Sequence, residues 1–149
     1  MNFIRLLFRL FKRKTYLNIS FQRIRFVAKE FVKSNSHGNL TIIGKNFQLV
    51  ILNNPIGKNS MKIRCKSNIT ELENFFKEYD VECKSSKSEI QVLYYNRIPE
   101  GKHGNVITIP EFLDRIVSSI SGEEKEFSFQ LTMTDSFSKN KILKAAQCA

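Results

Sequence analysis

The stretch that decides the fold runs from residue 61 to residue 133, and it is bounded by MKIRCK (residues 61–66) and EFSFQLTM (residues 126–133). Apolar and polar residues alternate strictly in both segments, which is typical of a strand that buries one face. A third alternating segment, SEIQVLYY, covers residues 88–95. These segments therefore predict three half-buried strands.

Helical spacing of apolar residues places two helices between these strands. Asn68 with Glu71 and Thr108 with Glu111 have the spacing of capping pairs, so we expect a helix to begin at each. A short additional strand at residues 81–83 completes the series. The predicted order is strand, helix, strand, strand, helix, strand.

We expect an α+β fold in which helices pack on one face of an antiparallel sheet. Residues 61–133 have the ferredoxin-like βαββαβ order. A preceding hairpin, with strands at residues 40–43 and 47–52 around a turn at 44–46, offers a second topology. If its second strand pairs with residues 61–66, an antiparallel meander forms instead. The βαββαβ order resembles the topology of RNA-recognition proteins and some ribosomal proteins over about half of the chain, without a specific motif.

The formal net charge of +10 is concentrated at the N-terminus. Residues 1–35 contain nine Lys and Arg and a single acid, Glu30, whereas the remainder contains fifteen Lys and Arg and thirteen acids. The basic character therefore belongs to an N-terminal arm. We accordingly divide the chain into a basic amphipathic helical arm (residues 1–35), an α+β domain (36–134, with its core at 61–133) and a polar C-terminal tail (135–149).

Residues 2–14 have the spacing of a basic amphipathic helix. Its membrane-facing or partner-facing side consists of Phe3, Ile4, Leu7, Phe8 and Phe11. The arm lacks both the run of about 20 apolar residues that crosses a bilayer and the cleavage site of a secretory signal. Three interpretations stay open: an organelle-import presequence of mitochondrial type, a helix that lies on an anionic membrane, and a segment that binds nucleic acid or docks on a partner protein.

An RNA-binding arm would neutralise backbone phosphates with its Lys and Arg side chains. A second helix, predicted over residues 21–32, belongs to the core, and its bases would form an exposed ridge. The candidate nucleic-acid-binding residues of the arm are Arg5, Arg9, Lys12, Arg13, Lys14, Arg23, Arg25, Lys29 and Lys33.

The outward face of the predicted sheet supplies further candidates for RNA binding. Lys62, Arg64 and Lys66 alternate with apolar residues, and Tyr95 would offer a ring on which a base could stack. The alternative is that the three bases pair with acids on neighbouring strands, for which Glu89 and Glu126 are the candidates.

The sequence predicts no catalytic residue, metal site or cofactor. His37 and His103 lie beside glycines in expected loops, and common catalytic or nucleotide-binding motifs do not occur. Cys65, Cys83 and Cys148 are odd in number and far apart, a pattern that favours neither a disulfide framework nor a zinc knuckle. We therefore expect a non-enzymatic protein of a reducing intracellular compartment, mitochondrial or cytoplasmic, that is not secreted.

The predicted function is that of a component of a larger assembly, such as a ribonucleoprotein or a ribosome-like particle. The basic arm would bind RNA or another polyanion, and the domain would contact protein partners. Two alternatives stay open: a peripheral membrane or membrane-complex accessory protein anchored by the same amphipathic helix, and a protein-binding inhibitor or immunity-type module. None of these functions implies a small-molecule substrate.

Overall fold

The computed structural model describes residues 14–66, 69–95, 97–102 and 104–147. Within these ranges the chain forms seven strands and four helices. The strands are β1 (Thr15–Ser20), β2 (Gly38–Ile43), β3 (Phe47–Asn53), β4 (Asn59–Cys65), β5 (Glu82–Ser85), β6 (Glu89–Tyr94) and β7 (Glu126–Met133). The helices are α1 (Phe21–Lys33), α2 (Ile69–Glu78), α3 (Ile109–Ser121) and α4 (Ser136–Gln147).

All seven strands form one antiparallel sheet in the order β1-β7-β2-β3-β4-β6-β5. The predicted α+β class and the antiparallel sheet are therefore confirmed. The ferredoxin-like order is not confirmed, because it would place β7 beside β4, whereas the β2–β3 hairpin lies between these two strands. The meander β2-β3-β4 forms instead. The hairpin inserts two strands between β4 and β7. These two strands therefore remain antiparallel to each other, as they would be in the ferredoxin-like order.

The hairpin takes an interior position because one of its faces is largely apolar, with Asn53 as its buried polar residue. Leu40, Ile42, Leu49 and Ile51 are completely buried. An edge position would expose such a face to water and leave a row of backbone groups unpaired. With β7 on one side and β4 on the other, both strands of the hairpin pair along their full length.

The core lies between the sheet and a single layer of helices. In α1 the buried residues Ile24, Val27, Ala28 and Phe31 recur every three or four positions, so one stripe of the helix faces the sheet. At the other end of the sheet an aromatic cluster joins α2 to α3. Its centre is Phe112, whose ring is stacked on Phe75 and lies near Phe76, Tyr79 and Tyr94.

The helix termini follow the expected chemistry at one end of α3 and depart from it at the end of α1. Thr108 Oγ1 accepts a hydrogen bond from the Glu111 backbone N–H at 3.3 Å, which confirms the predicted capping pair. Gly38 is the glycine nearest the end of α1 and the usual type of residue for a left-handed helix end, but Asn35 adopts that conformation, with φ of 49°. Gly38 begins β2 instead, where a Cβ atom would lie 2.8 Å from the Thr132 carbonyl oxygen.

Residues near both chain ends join the same fold. β1 pairs with β7, and its Ile19 is part of the hydrophobic core. Residues 136–147, expected to form a tail or a short docking helix, form α4, which packs against α1 and buries Ile142 and Ala146. Among the described residues, none of the helices is long and apolar enough to cross a membrane.

Replacement of Phe112 tests the aromatic cluster. Phe112 is completely buried, whereas Phe137 on α4 is 80% exposed. We expect Phe112→Ala to lower the free energy of unfolding by about 3–5 kcal/mol, because it removes a buried ring and leaves a cavity. Phe137→Ala is the matched control and should change it by less than about 0.5 kcal/mol. Urea unfolding followed by circular dichroism measures both, and equal effects of the two substitutions would contradict this packing.

Candidate functional site

The described helices leave the opposite face of the sheet uncovered. Strand register aligns its outward residues in rows, and one row crosses all seven strands. This row consists of Thr15, Gln130, Thr41, Val50, Lys62, Gln91 and Lys84. The β1, β7 and β2 side of the row carries hydroxyl and amide groups, whereas the β4, β6 and β5 side carries the cations.

A shallow depression of about 390 Å³ lies on this face over β3, β4 and β6. Its lining includes the apolar side chains of Val50 and Leu52, the amides of Gln48 and Gln91, and the bases of β4. The depression therefore combines apolar surface, neutral hydrogen-bonding groups and positive charge. This combination suits an extended ligand with both polar edges and anionic groups.

Lys62 and Arg64, two of the predicted RNA-binding residues, share a single carboxylate. Arg64 Nε donates to Glu89 Oε2 at 2.9 Å, and Lys62 Nζ lies 3.5 Å from Glu89 Oε1. The hydrogen bond from Arg64 is the main cause that lowers the pKa of Glu89. The alternative interpretation, ion pairing with Glu89, is thus confirmed, whereas Glu126 lies on β7 opposite Ser20. One carboxylate cannot neutralise two cations, so this patch keeps a net positive charge.

Tyr95 and Lys66, the other two predicted residues of the sheet face, lie at opposite ends of the β4–β6 pair. Tyr95 is 61% exposed and follows the end of β6 that lies beside Asn59. Lys66 is exposed and follows Cys65, whose backbone N–H donates to the Ser88 carbonyl at the other end of β6. The structure therefore does not bring Tyr95 and Lys66 together.

The ring of Tyr95 already has a cation from its own chain beside it. Lys58 Nζ lies 5.4 Å from the centre of the Tyr95 ring and 3.6 Å from Glu82 Oε2. A base could stack on Tyr95 on the side opposite Lys58, or it could displace this ammonium group.

The predicted basic ridge of α1 is largely engaged in contacts within the protein. Arg25 donates to both carboxylate oxygens of Asp114 on α3, at 2.7 and 2.6 Å, and Lys29 Nζ lies 3.8 Å from the same carboxylate. Lys33 Nζ lies 3.8 Å from Glu30 Oε1. The side chains of Arg25, Lys29 and Lys33 are 36%, 38% and 58% exposed, as expected for an exposed ridge, but acids on α1 and α3 lie within reach of all three.

Of the remaining candidate bases of the arm, Lys14 and Arg23 lie in the described ranges. Lys14 Nζ lies 5.0 Å from the centre of the Tyr16 ring, and Arg23 makes no ion pair with any described residue. The following predicted residues lie outside the described ranges: Arg5, Arg9, Lys12 and Arg13, and the apolar set Phe3, Ile4, Leu7, Phe8 and Phe11.

Sequence reasoning did not identify the cross-strand neighbours on the sheet face or the partner of the α1 bases. Gln91 lies directly opposite Lys62, but this neighbour is visible only once the register of β4 and β6 is known. Asp114 is 89 residues from Arg25 in the chain. Its position on the outer side of the predicted α3 was the only available signal, and it did not identify a partner.

The described residues show no cluster that could hold a metal ion, and the thiol of Cys83 is not activated. No group of three or more His, Cys, Asp and Glu side chains in the described ranges is arranged for metal binding. The pKa of the Cys83 thiol is raised, mainly by burial, which disfavours the reactive thiolate. Comparisons with protein-family models, with curated proteins and with solved structures gave no match to the chain.

The ion pair between α1 and α3 gives a pH-dependent contribution to stability. The hydrogen bond from Arg25 is the main cause that lowers the pKa of Asp114 below its ordinary value of 3.8. A carboxyl group with a lowered folded-state pKa stabilises the fold fully above its unfolded-state pKa. That contribution is lost as the pH falls through the folded-state pKa.

We expect Asp114→Asn to lower the free energy of unfolding at pH 7 by about 1 kcal/mol, a value that allows for the partial exposure of Arg25. The difference between the two proteins should shrink below pH 3.8, as Asp114 is protonated in the original chain. Urea unfolding at pH 7 and at acid pH measures it. Glu111→Gln is the control, because the exposed Glu111–Arg115 pair should contribute less. A difference that is constant with pH would contradict this assignment.

Proposed function

We propose that the protein is a non-enzymatic RNA-binding component of a larger assembly. In this proposal single-stranded RNA lies across the uncovered sheet face over β3, β4 and β6, and the N-terminal arm neutralises its phosphates. The observation that carries the proposal is the depression in which two cations, Lys62 and Arg64, share one carboxylate beside neutral amide groups.

Each group of the depression corresponds to a part of a nucleotide. The amides of Gln48 and Gln91 can donate to and accept from the polar edges of unpaired bases. The Arg64 guanidinium, whose side chain is 58% exposed, can contact a phosphate while it keeps its bond to Glu89. Val50 and Leu52 supply apolar surface for base faces.

Charge and chain length support a joint role for the arm. Four of the 24 Lys and Arg residues lie in residues 1–13, and the first 29 residues contain no acid. Residues 1–13, the front part of the arm, connect to the sheet through Lys14, next to the edge strand β1. From β1 to β4 the sheet spans about 19 Å, at about 4.8 Å per strand. Thirteen residues can cover about 20 Å as a helix and more when extended, so the arm can reach the same RNA.

The salt dependence of RNA binding tests the contribution of the arm. Replacing Arg5, Arg9, Lys12 and Arg13 together by Gln should reduce the slope of log affinity against log salt concentration by about 3, because each lost phosphate contact removes about 0.7 for a single strand. Fluorescence anisotropy with a labelled single-stranded RNA at several salt concentrations measures the slope.

A matched triple variant separates the arm from general surface charge. Replacing Lys139, Lys141 and Lys144 of α4 by Gln removes three cations from the helical layer, away from the proposed RNA path. It should leave the slope nearly unchanged. Equal slopes for the arm variant and the original chain, or RNA binding that does not respond to salt, would refute the proposal.

One observation favours a second candidate function, attachment to an anionic membrane. On the helical layer, Phe137 is 80% exposed and Phe26 is 51% exposed. The helix α4 also carries three lysines and no acid. Exposed aromatic side chains beside lysines are typical of surfaces that lie at an anionic lipid interface.

Sedimentation with lipid vesicles separates the two candidates. If the membrane function holds, the protein sediments with vesicles that contain anionic lipid and not with neutral ones, and Phe137→Asp reduces the bound fraction. Tyr95→Asp is the matched control, since Tyr95 is an exposed aromatic residue on the sheet side. Binding that is unchanged by Phe137→Asp would rule out this helical surface as the membrane contact.

A further inference from the structure

A groove of about 500 Å³ lies between the C-terminal end of α1 and the loop that leads into α3. Val32 and Lys33 of α1 form one wall, and Arg97, Val106, Ile109 and Pro110 belong to the opposite side. The groove is separate from the sheet face, because its walls come from the helical layer and the connecting loop. Its volume is in the range of pockets that hold small molecules.

The loop wall of the groove is fixed by contacts with the rest of the fold. The Gly101 N–H donates to the Asn105 carbonyl at 2.9 Å, and the Lys102 N–H donates to the Glu78 carbonyl of α2 at 3.1 Å. Ile98 and Ile107, near the two ends of the loop, are buried in the core with 4% exposure each. The groove therefore exists before any ligand arrives, which reduces the entropic cost of binding.

The groove combines an apolar lining with positive charge. Six of its ten lining residues are apolar, two are the cations Lys33 and Arg97, and none is an acid. Val106 is 80% exposed, although it belongs to this apolar surface. Isolated exposed aliphatic residues are common, but here Val106 adjoins other apolar residues of one concave surface.

Two acids on the neighbouring helices are paired with other cations or held by a long contact. Glu111 pairs with Arg115 at 3.5 Å. Glu30 lies 3.8 Å from Lys33, whose side chain is 58% exposed, so this contact is long and hydrated and should yield to a stronger anion. Arg97 makes no ion pair within the part of the chain that the structure describes.

We propose that this groove binds a small anionic amphiphile, an apolar chain that ends in a carboxylate or phosphate group. The apolar chain would lie against Val32, Val106 and Pro110, and the anionic group would contact Arg97 and Lys33. Charge complementarity selects this class of ligand: the cations disfavour a basic ligand and favour an anion, and the apolar lining gives no partner to a small hydrophilic anion. No pattern in the sequence indicated a small-molecule ligand, because Lys33 and Arg97 are 64 positions apart in the chain.

Titration of the full chain with sodium octanoate, followed by amide NMR shifts, tests this site. We expect saturable shifts centred on Lys33, Asn35, Arg97, Val106 and Thr108. Octanol, which lacks the anion, and inorganic phosphate, which lacks the chain, should bind far more weakly. Octyl phosphate in place of octanoate then distinguishes a phosphate from a carboxylate head group.

Two variants and one control make the test specific. Arg97→Gln should raise the Kd for octanoate about tenfold, because it removes a charged hydrogen bond. Val106→Asp, at an exposed position where the fold should tolerate it, should abolish the saturable shifts. Lys102→Gln removes a cation of the same loop that does not line the groove, and it should leave the Kd unchanged.

Four results would overturn the proposal. They are the absence of saturable shifts in the groove, shifts confined to residues 1–14, equal affinity for octanol and octanoate, and a Kd that is unaffected by Arg97→Gln and Val106→Asp. Because the variants leave the arm and the sheet face intact, these outcomes are independent of whether the protein binds RNA.

Discussion

The architecture depends on one constraint, that the apolar residues of neighbouring strands must meet on the same side of the sheet. Leu40 lies opposite both Ile51 and Leu131, and Met61 lies opposite both Ile51 and Val92. Because side chains alternate along a strand, a shift by one residue would turn these positions to water. The register therefore fixes which face the helices cover. The register also fixes which face the helices leave uncovered. On that face, amides and cations from distant parts of the chain lie side by side.

Several of the cations in this protein form ion pairs within the fold. The Arg25–Asp114 pair joins α1 to α3 over the core, and Glu89 holds Lys62 and Arg64 together on the sheet. A basic composition thus indicates an anionic partner only where cations outnumber the acids within reach. This condition applies to Lys62 and Arg64 on β4, which share Glu89, and, from its sequence, to the arm. The proposal of RNA binding rests on these two regions. The groove beside Arg97 also has more cations than acids in its lining, but most of its lining is apolar.

Elements with strong periodicity were predictable, and elements with weak periodicity were not. The alternation in β4, β6 and β7 and the capping pair of α3 predicted those elements, and the turn at residues 44–46 predicted the β2–β3 hairpin. The strand β1 has no such signal: of its residues only Ile19 is buried, Asn18 has a φ of 58°, and its register with β7 is irregular. It is a strand because β7 offers it an unpaired edge, which is a property of the assembled sheet.

The fold class, the antiparallel character of the sheet and the concentration of bases at the N-terminus could be read from local alternation, short connections and composition. Three features became visible only in the folded chain: the hairpin separates β7 from β4, Asp114 pairs with Arg25 and Lys29, and Gln91 lies beside Lys62. Each of these depends on which distant segments become neighbours. Several arrangements bury the same apolar residues, and the choice among them comes from the packing of the whole sheet rather than from any one segment.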